Sequence, residues 1–255
     1  VKIIGVQTPL IKPGNDLVEI ILDSIEKNGG IELKNNDILV IASSAVSTAE
    51  GRTRDIESVT PRKEAEELAR KSGLDERLVE IVIQESDKIL DYFEDCILTL
   101  RDGMLRINAG VDRSNVPKGK ALLLPENPED KAAKIRKKLE KYTEKRLGLV
   151  ISDSHVNPLR RGTVGQAIGT SGIKESLDRR TQKDLYGREL KITFQGIGDQ
   201  LATAAQLVMG EADESVPIAV IRGTEAAFSD RPGRSLKISP KECVYSKLMG
   251  LRKND

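Results

Sequence analysis

Residues 96–107 read Cys96-Ile97-Leu98-Thr99-Leu100-Arg101-Asp102-Gly103-Met104-Leu105-Arg106-Ile107, and this stretch decides the fold class. Two short, largely apolar runs, 96–100 and 104–107, flank Arg101-Asp102-Gly103. Aspartate and glycine tolerate the left-handed backbone that a tight turn needs, so the spacing predicts a β-hairpin. Helical patterns stand on both sides of it. Upstream they cover about 61–71, opened by Pro61, and about 75–86, with Asp75 as cap. Downstream a charged helix of about 128–146 carries Ile135, Leu139 and Tyr142 on one face. A doubly wound sheet would instead alternate single strands with crossover helices. The expected fold class is therefore α+β, with mixed and antiparallel sheets and helices.

Working outward, apolar runs predict further strands at 2–7, 38–42, 121–124, 147–151, 190–194 and 218–221. Asn15 or Asp16 can cap a helix in which Leu17, Val18, Ile21, Leu22 and Ile25 recur at helical spacing, and Asn28-Gly29-Gly30 stops it. A last helix spans about 199–209, with Asp199 as its cap. In the charged helix Glu129, Glu140 and Glu144 interleave the lysines, which reads as a solvated face rather than a nucleic-acid surface.

Charge and composition remove several function classes. Forty-one Lys and Arg against 40 Asp and Glu leave a net charge of +1, with no long-range pull toward nucleic acid or anionic lipid. Tryptophan is absent and aromatics make up 3%, too few for a base-stacking platform. The two cysteines, Cys96 and Cys243, lie far apart, and His155 is the only histidine. That excludes a disulfide framework and a Cys/His zinc site. No run approaches the roughly 20 apolar residues of a membrane helix, and no signal-peptide order is visible. A cytoplasmic address is expected.

Three carboxylates fall where a scaffold can present reacting groups. Asp112 follows the 104–107 strand, Asp153 closes the 147–151 strand ahead of the Ser154 hydroxyl, and Glu211 follows Met209-Gly210 at a helix end. Oxygen ligands of this kind suit Mg²⁺ or Mn²⁺, which take one or two carboxylates plus substrate phosphates. Taken singly, each acid is more often a cap, a turn residue or a surface charge. Arg160-Arg161-Gly162 and the glycines up to Gly172 have two readings. Guanidiniums can clamp phosphate or carboxylate oxygens beside a close-lying backbone; equally, the glycines can let a strand pack tightly against another backbone. Ser43 and Ser44 follow a buried-type strand, as a phosphate-binding junction or as a turn. No Walker-type or G-x-G-x-x-G phosphate loop occurs.

These segments, in order, resemble the F420-0:γ-glutamyl ligase family. The resemblance rests on Pro9-Leu10-Ile11 with Gly14, on 43–51 (SSAVSTAEG) and on 108–116 (NAGVDRSNV). It continues through Ser152-Asp153-Ser154 with Arg160-Arg161-Gly162, then 164–172 (VGQAIGTSG) and 183–190 (KDLYGREL). Gly198-Asp199-Gln200 and 207–211 (LVMGE) complete it, so that it spans about residues 1–224. It implies an amide ligase in which GTP phosphorylates a carboxylate of coenzyme F420-0 and the amine of L-glutamate attacks the acyl phosphate. A further glutamate can be added through the γ-carboxylate. It implies two divalent cations, Mg²⁺ or Mn²⁺, with Asp112 and Asp153 on one and Ser154 and Glu211 on the other. Potassium and a homodimer are implied as well. Asp153, Arg160 and Arg161 would serve catalysis. Pro9, Leu10, Ile11, Ser43, Ser44, Thr48 and Asn115 would line the nucleotide site, together with Met209, Gly210, Glu211, Ala212, Asp213, Glu214, Ser215 and Val216. Two closely associated domains are expected: residues 1–146 for nucleotide and metal, and residues 147–255 completing the active site and the dimer contact. The chain departs from the family pattern at Thr48, where a lysine is expected, and at Val156-Asn157, where a Gly-Arg pair is usual. A related ligase with another small carboxylate acceptor, or a non-catalytic nucleotide- or coenzyme-binding protein, are the alternatives.

Overall fold

The computed structural model describes residues 1–27, 31–224, 228–230 and 235–251. In chain order the elements are β1 (Lys2–Val6), α1 (Leu17–Lys27), β2 (Asp37–Ala42), α2 (Ser43–Ala49), β3 (Thr53–Asp55), α3 (Lys63–Ser72), α4 (Glu76–Gln84), β4 (Lys88–Phe93), β5 (Cys96–Arg101) and β6 (Met104–Ile107). They continue with β7 (Lys120–Leu122), α5 (Pro128–Thr143), β8 (Leu147–Val156), β9 (Thr163–Ser171), β10 (Ser176–Asp178), β11 (Phe194–Gly196), α6 (Ile197–Met209) and β12 (Ile218–Arg222). The fold is α+β, as expected.

The chain forms two compact units, Val1–Gly51 with Pro125–Leu236 and Arg52–Leu124 with Lys237–Asp255. A single cut at 146/147 does not describe them. It falls inside the first unit, because β2 and β8, from either side of it, pair in parallel from Asp37↔Leu147 to Ala42↔Ser152.

The first unit is built on a sheet of strand order β1-β12-β2-β8-β9, antiparallel everywhere except at β2/β8. Its central strands must be apolar on both sides, since helices cover both faces. Ile38, Val40, Val150, Ala219 and Ile221 pack with Ile197, Leu201, Ala202 and Ala205 of α6. Ile151 points the other way, and its ladder partner Gly169 lies against the Pro128 carbonyl of α5. On β9 a side chain at Gly165 would run into the backbone of Ala202, and one at Gly169 into that of Pro128. Here the tight-packing reading of these glycines prevails over an anion cradle.

Three details of this unit differ from expectation. Residues 190–193 form no strand; only Phe194 joins β11, which pairs with β10. Asp184 takes the N–H groups of Tyr186 and Arg188, each at 2.9 Å, and so commits the segment to a turn. Asp199 does not cap α6, which begins at Ile197; its carboxylate accepts the Ala167 N–H of β9 at 2.9 Å. Tyr142 is 62% exposed, and the buried stripe of α5 runs through Ala132, Arg136 and Leu139. The cap of α1 is Asp16, which accepts from Val18 and Glu19, while Asn28-Gly29-Gly30 lies outside the described residues.

In the second unit the expected hairpin is present: β5 and β6 pair from Leu98↔Ile107 to Arg101↔Met104. Asp102 (φ 51°) and Gly103 (φ 73°) sit at its left-handed turn. The unforeseen β4 adds a third strand, and β3 pairs with β7. Leu78, Val79, Ile81 and Val82 of α4 meet Ala65 and Ala69 of α3 and Ile97 of β5 in one core. Asp75 caps α4 as read, accepting from Arg77 at 2.9 Å, whereas α3 starts at Lys63, past Pro61.

Candidate functional site

The site grows from the parallel pair at the centre of the first unit. Its register sets Ala42, the last residue of β2, beside Ser152 of β8. The next residue on each strand is therefore brought next to the other. Ser43, which opens α2, donates its hydroxyl to Asp153 Oδ1 at 2.7 Å. Ser43 is thus the first residue of a helix, not of a turn. β8 does not stop at Ile151 but continues to Val156, so Asp153 lies within the strand. Just before it the ladder with β9 slips: Ile151 faces Gly169 while Ser152 faces Ala167, leaving Ile168 as an extra residue. Bulges of this kind bend the ladder and re-aim side chains, and they gather near functional sites.

Alternation along β8 turns Asp153 and Ser154 to opposite faces. Ser154 faces α6. Its hydroxyl lies 3.0 and 2.9 Å from the two carboxylate oxygens of Glu211, and Gln206 Nε2 approaches the same hydroxyl at 3.5 Å. Gln206 was not singled out in the sequence; its place on the last turn of α6, ahead of Gly210, was the available signal. Glu211 owes its position to Gly210, which ends α6 with φ 75° and ψ −171°. A side chain there would overlap the Glu214 carboxylate, so glycine meets both the backbone and the space requirement. Glu214 folds back to accept the Ala212 N–H at 2.8 Å. Its own N–H and that of Ala212 hold its carboxyl below the ordinary glutamate range.

Two backbone bonds gather the remaining loops of this unit on the same edge. Thr8 N–H donates to the Ser215 carbonyl at 3.0 Å, and Ala42 N–H to the Pro217 carbonyl at 2.9 Å. They bring the Pro9-Leu10-Ile11 segment and the run Met209, Gly210, Glu211, Ala212, Asp213, Glu214, Ser215, Val216 to the end of β2 where Ser43 and Ser44 stand. Thr48 sits one turn further along α2, half-buried. Arg160 and Arg161 occupy the tip between β8 and β9, fully open to solvent, and neither has an acidic partner among the described residues. Val156 and Asn157 lead into that tip.

Asp112 and Asn115 belong to the second unit. Asp112 forms a bridge with Leu122, and its carboxylate accepts the Ser114 N–H at 2.9 Å and the Ser114 hydroxyl. Asn115 is exposed, with φ 52°.

The donors of the first unit, Ser43 with Asp153 and Ser154 with Glu211, are oxygen atoms throughout. Among the described residues no three His, Cys, Asp or Glu side chains converge. A zinc-type or calcium cage would need such a group; a Mg²⁺-type ion would not, since it takes one or two carboxylates and leaves the rest to phosphate and water. The two carboxylate–hydroxyl pairs fit that pattern. No helix among the described residues is long and apolar enough to cross a membrane.

Residues 5–223 match the family described as F420-0:Gamma-glutamyl ligase. The chain is 44% identical over 245 residues to the coenzyme F420:L-glutamate ligase of Methanocaldococcus jannaschii, covering 95% of each chain. The protein of the same name from Methanopyrus kandleri is 40% identical over 240 residues, 92% of this chain and 93% of its own. That from Archaeoglobus fulgidus is 39% identical over 219 residues, 86% of each.

Proposed function

The chain belongs to the F420-0:gamma-glutamyl ligase family, and from that premise we propose that it joins L-glutamate to coenzyme F420-0 by an amide bond at the expense of GTP. The observation that carries this reading is the pair of carboxylate–hydroxyl contacts on successive residues of β8, Ser43–Asp153 and Ser154–Glu211. A carboxylate oxygen of the acceptor attacks the γ-phosphorus of GTP and GDP leaves. The glutamate nitrogen then attacks the acyl carbon, phosphate departs, and the amine gives up a proton. A second round through the γ-carboxylate extends the chain.

Divalent cations, when bound, neutralise phosphate oxygens on which charge builds in both steps. Asp153 and Glu211, each tied to a serine hydroxyl, are the groups of the first unit that would hold them. Family resemblance gives Asp112 a place at a metal and Asn115 a place at the nucleotide, and it implies potassium. The Ser43 hydroxyl fixes the rotamer of Asp153, so that its carboxylate is presented without further ordering cost. The Pro9-Leu10-Ile11 loop, Ser43, Ser44, Thr48 and the 209–216 run wall the nucleotide. Arg160 and Arg161, exposed and without an acidic partner among the described residues, receive the carboxylates of acceptor or glutamate. Leu185, Tyr186 and Ile192 are 101%, 83% and 86% exposed on the β10–β11 arm, an apolar surface that supports a homodimer. The reaction's nucleotide and the half-exposed free cysteines are consistent with a cytoplasmic enzyme.

The test is amide formation followed by mass spectrometry. Purified protein is incubated with F420-0, L-glutamate, Mn²⁺ and GTP, with ATP in a parallel tube. Products heavier by one or two glutamyl units in the GTP tube are expected. GTP binding without any product would overturn F420-0 as acceptor and turn attention to the Val156-Asn157 approach.

A further inference from the structure

The β8/β9 ladder sets Gln166 directly opposite Asp153. Directly paired residues of an antiparallel ladder share a face, with Cβ atoms about 4.5–5.5 Å apart. Gln166 therefore stands beside Asp153 on the face reached by the Ser43 hydroxyl. Its Oε1 is buried and has no hydrogen-bond partner among the described residues. Ser47, one helical turn beyond Ser43 on α2 and so on the same side of that helix, is 1% exposed. Its hydroxyl, too, is buried without a partner among the described residues.

Leaving a polar atom buried and unbonded forfeits its hydration with nothing in return. Native proteins keep such atoms where a water, an ion or a functional role accounts for them. The strand itself does not require glutamine there: Val164, Ala167 and Ile168 around it are apolar, and an apolar residue would fill the position without that penalty. A carbonyl oxygen with no donor, beside a carboxylate and a hydroxyl, is the arrangement a hard cation uses.

We propose that Gln166 is a further ligand of the divalent cation held at Asp153, its amide oxygen completing one wall with the Asp153 carboxylate and the Ser43 hydroxyl. This rests on the reading of Asp153 as a metal-holding residue. Its role is to add a neutral oxygen, so that the ion is gripped without a further negative charge opposing the triphosphate.

The experiment is a Mn²⁺ titration of the full chain, followed by the electron paramagnetic resonance signal of free Mn²⁺, for wild type, Gln166→Met and Gln166→Glu. Gln166→Met keeps the volume and removes the oxygen. It should weaken Mn²⁺ binding at one class of site by about 10- to 100-fold, while its melting temperature in EDTA stays level or rises. Gln166→Glu keeps an oxygen and should bind Mn²⁺ at least as tightly as wild type. Wild-type Mn²⁺ affinity in Gln166→Met overturns the inference and leaves the ligase reading standing. A wild-type chain that takes up no Mn²⁺ overturns the metal reading of Asp153 itself. Should Gln166→Met fail to fold, Gln166→Glu decides alone, and weakened Mn²⁺ binding there counts against the proposal.

Discussion

Replacing Asp153 by asparagine separates the chemistry of the site from its architecture. The side chain keeps its shape, and its Oδ1 still accepts the Ser43 hydroxyl now found at 2.7 Å. What changes is the charge. A hydrogen bond to a carboxylate contributes about 1.5–3 kcal/mol and a neutral one about 1 kcal/mol. The exchange therefore lowers stability by roughly 1 kcal/mol, a drop in Tm of about 2–4 °C for a chain of this size. Turnover should suffer far more. Removing one neutral donor from a preorganised charge-stabilising site costs about 10²–10³ in rate, or roughly 3–4 kcal/mol. Loss of a full negative charge that holds a cation should cost at least that. The assay pairs calorimetric melting in EDTA with glutamyl transfer at saturating GTP and Mn²⁺. A variant that melts near wild type and turns over at more than a tenth of its rate would refute the assignment of Asp153. A variant that loses both together would show the residue to be structural.

Glu211→Gln should likewise cut turnover by at least about 10²-fold while the fold persists, since the Ser154 hydroxyl keeps an acceptor; circular dichroism and the transfer assay check this together. Arg222→Met tests the frame. Asp37 is fully buried and held by Arg222 through Nε at 2.7 Å and Nη2 at 2.6 Å. Stranding that carboxylate should cost about 3–5 kcal/mol, read as a lower urea midpoint. Gly165→Ala drives a methyl into the Ala202 backbone and should cost about 1–3 kcal/mol by thermal melting. The last prediction concerns acid. Burial pushes the Glu80 carboxyl up, but the N–H of Arg62, the amide of Gln84 and the Arg62 guanidinium outweigh it and hold the group below its ordinary 4.5. Its contribution is thus complete above pH 4.5 and is lost as pH falls through the lower folded value. The stability gap between wild type and Glu80→Gln should be wide near neutrality and shrink as the pH falls below 4.5; a gap that widens in acid would contradict the sign.

Much of the fold was legible because its signals are local. The Asp102-Gly103 turn, the Asp75 cap and the buried runs of β2 and β8 each depend on a few neighbouring residues, and each is found where it was read. The errors have a local origin too. Residues 190–193 look like a strand until Asp184 captures the backbone N–H groups upstream of them. Asp199 looks like a cap until its carboxylate is claimed by Ala167 on another element. The α2 helix was missed because serine and threonine are weak helix formers, and Ser43, Ala45, Val46, Ser47 and Ala49 are buried by the surrounding unit rather than ordered by propensity.

The sequence by itself determined the α+β class, the identity of the acids and hydroxyls available, and the segments in which they fall. Which of these meet was decided by tertiary structure alone. Ser43 and Asp153 lie 110 residues apart, and only the parallel register Ala42↔Ser152 makes them neighbours. Likewise the slip at Ile151/Ser152 and the alternation beyond it send Asp153 toward Ser43 and Ser154 toward Glu211. Strand register is set by how two distant apolar runs bury their faces against the helices, and no window of local sequence contains both runs.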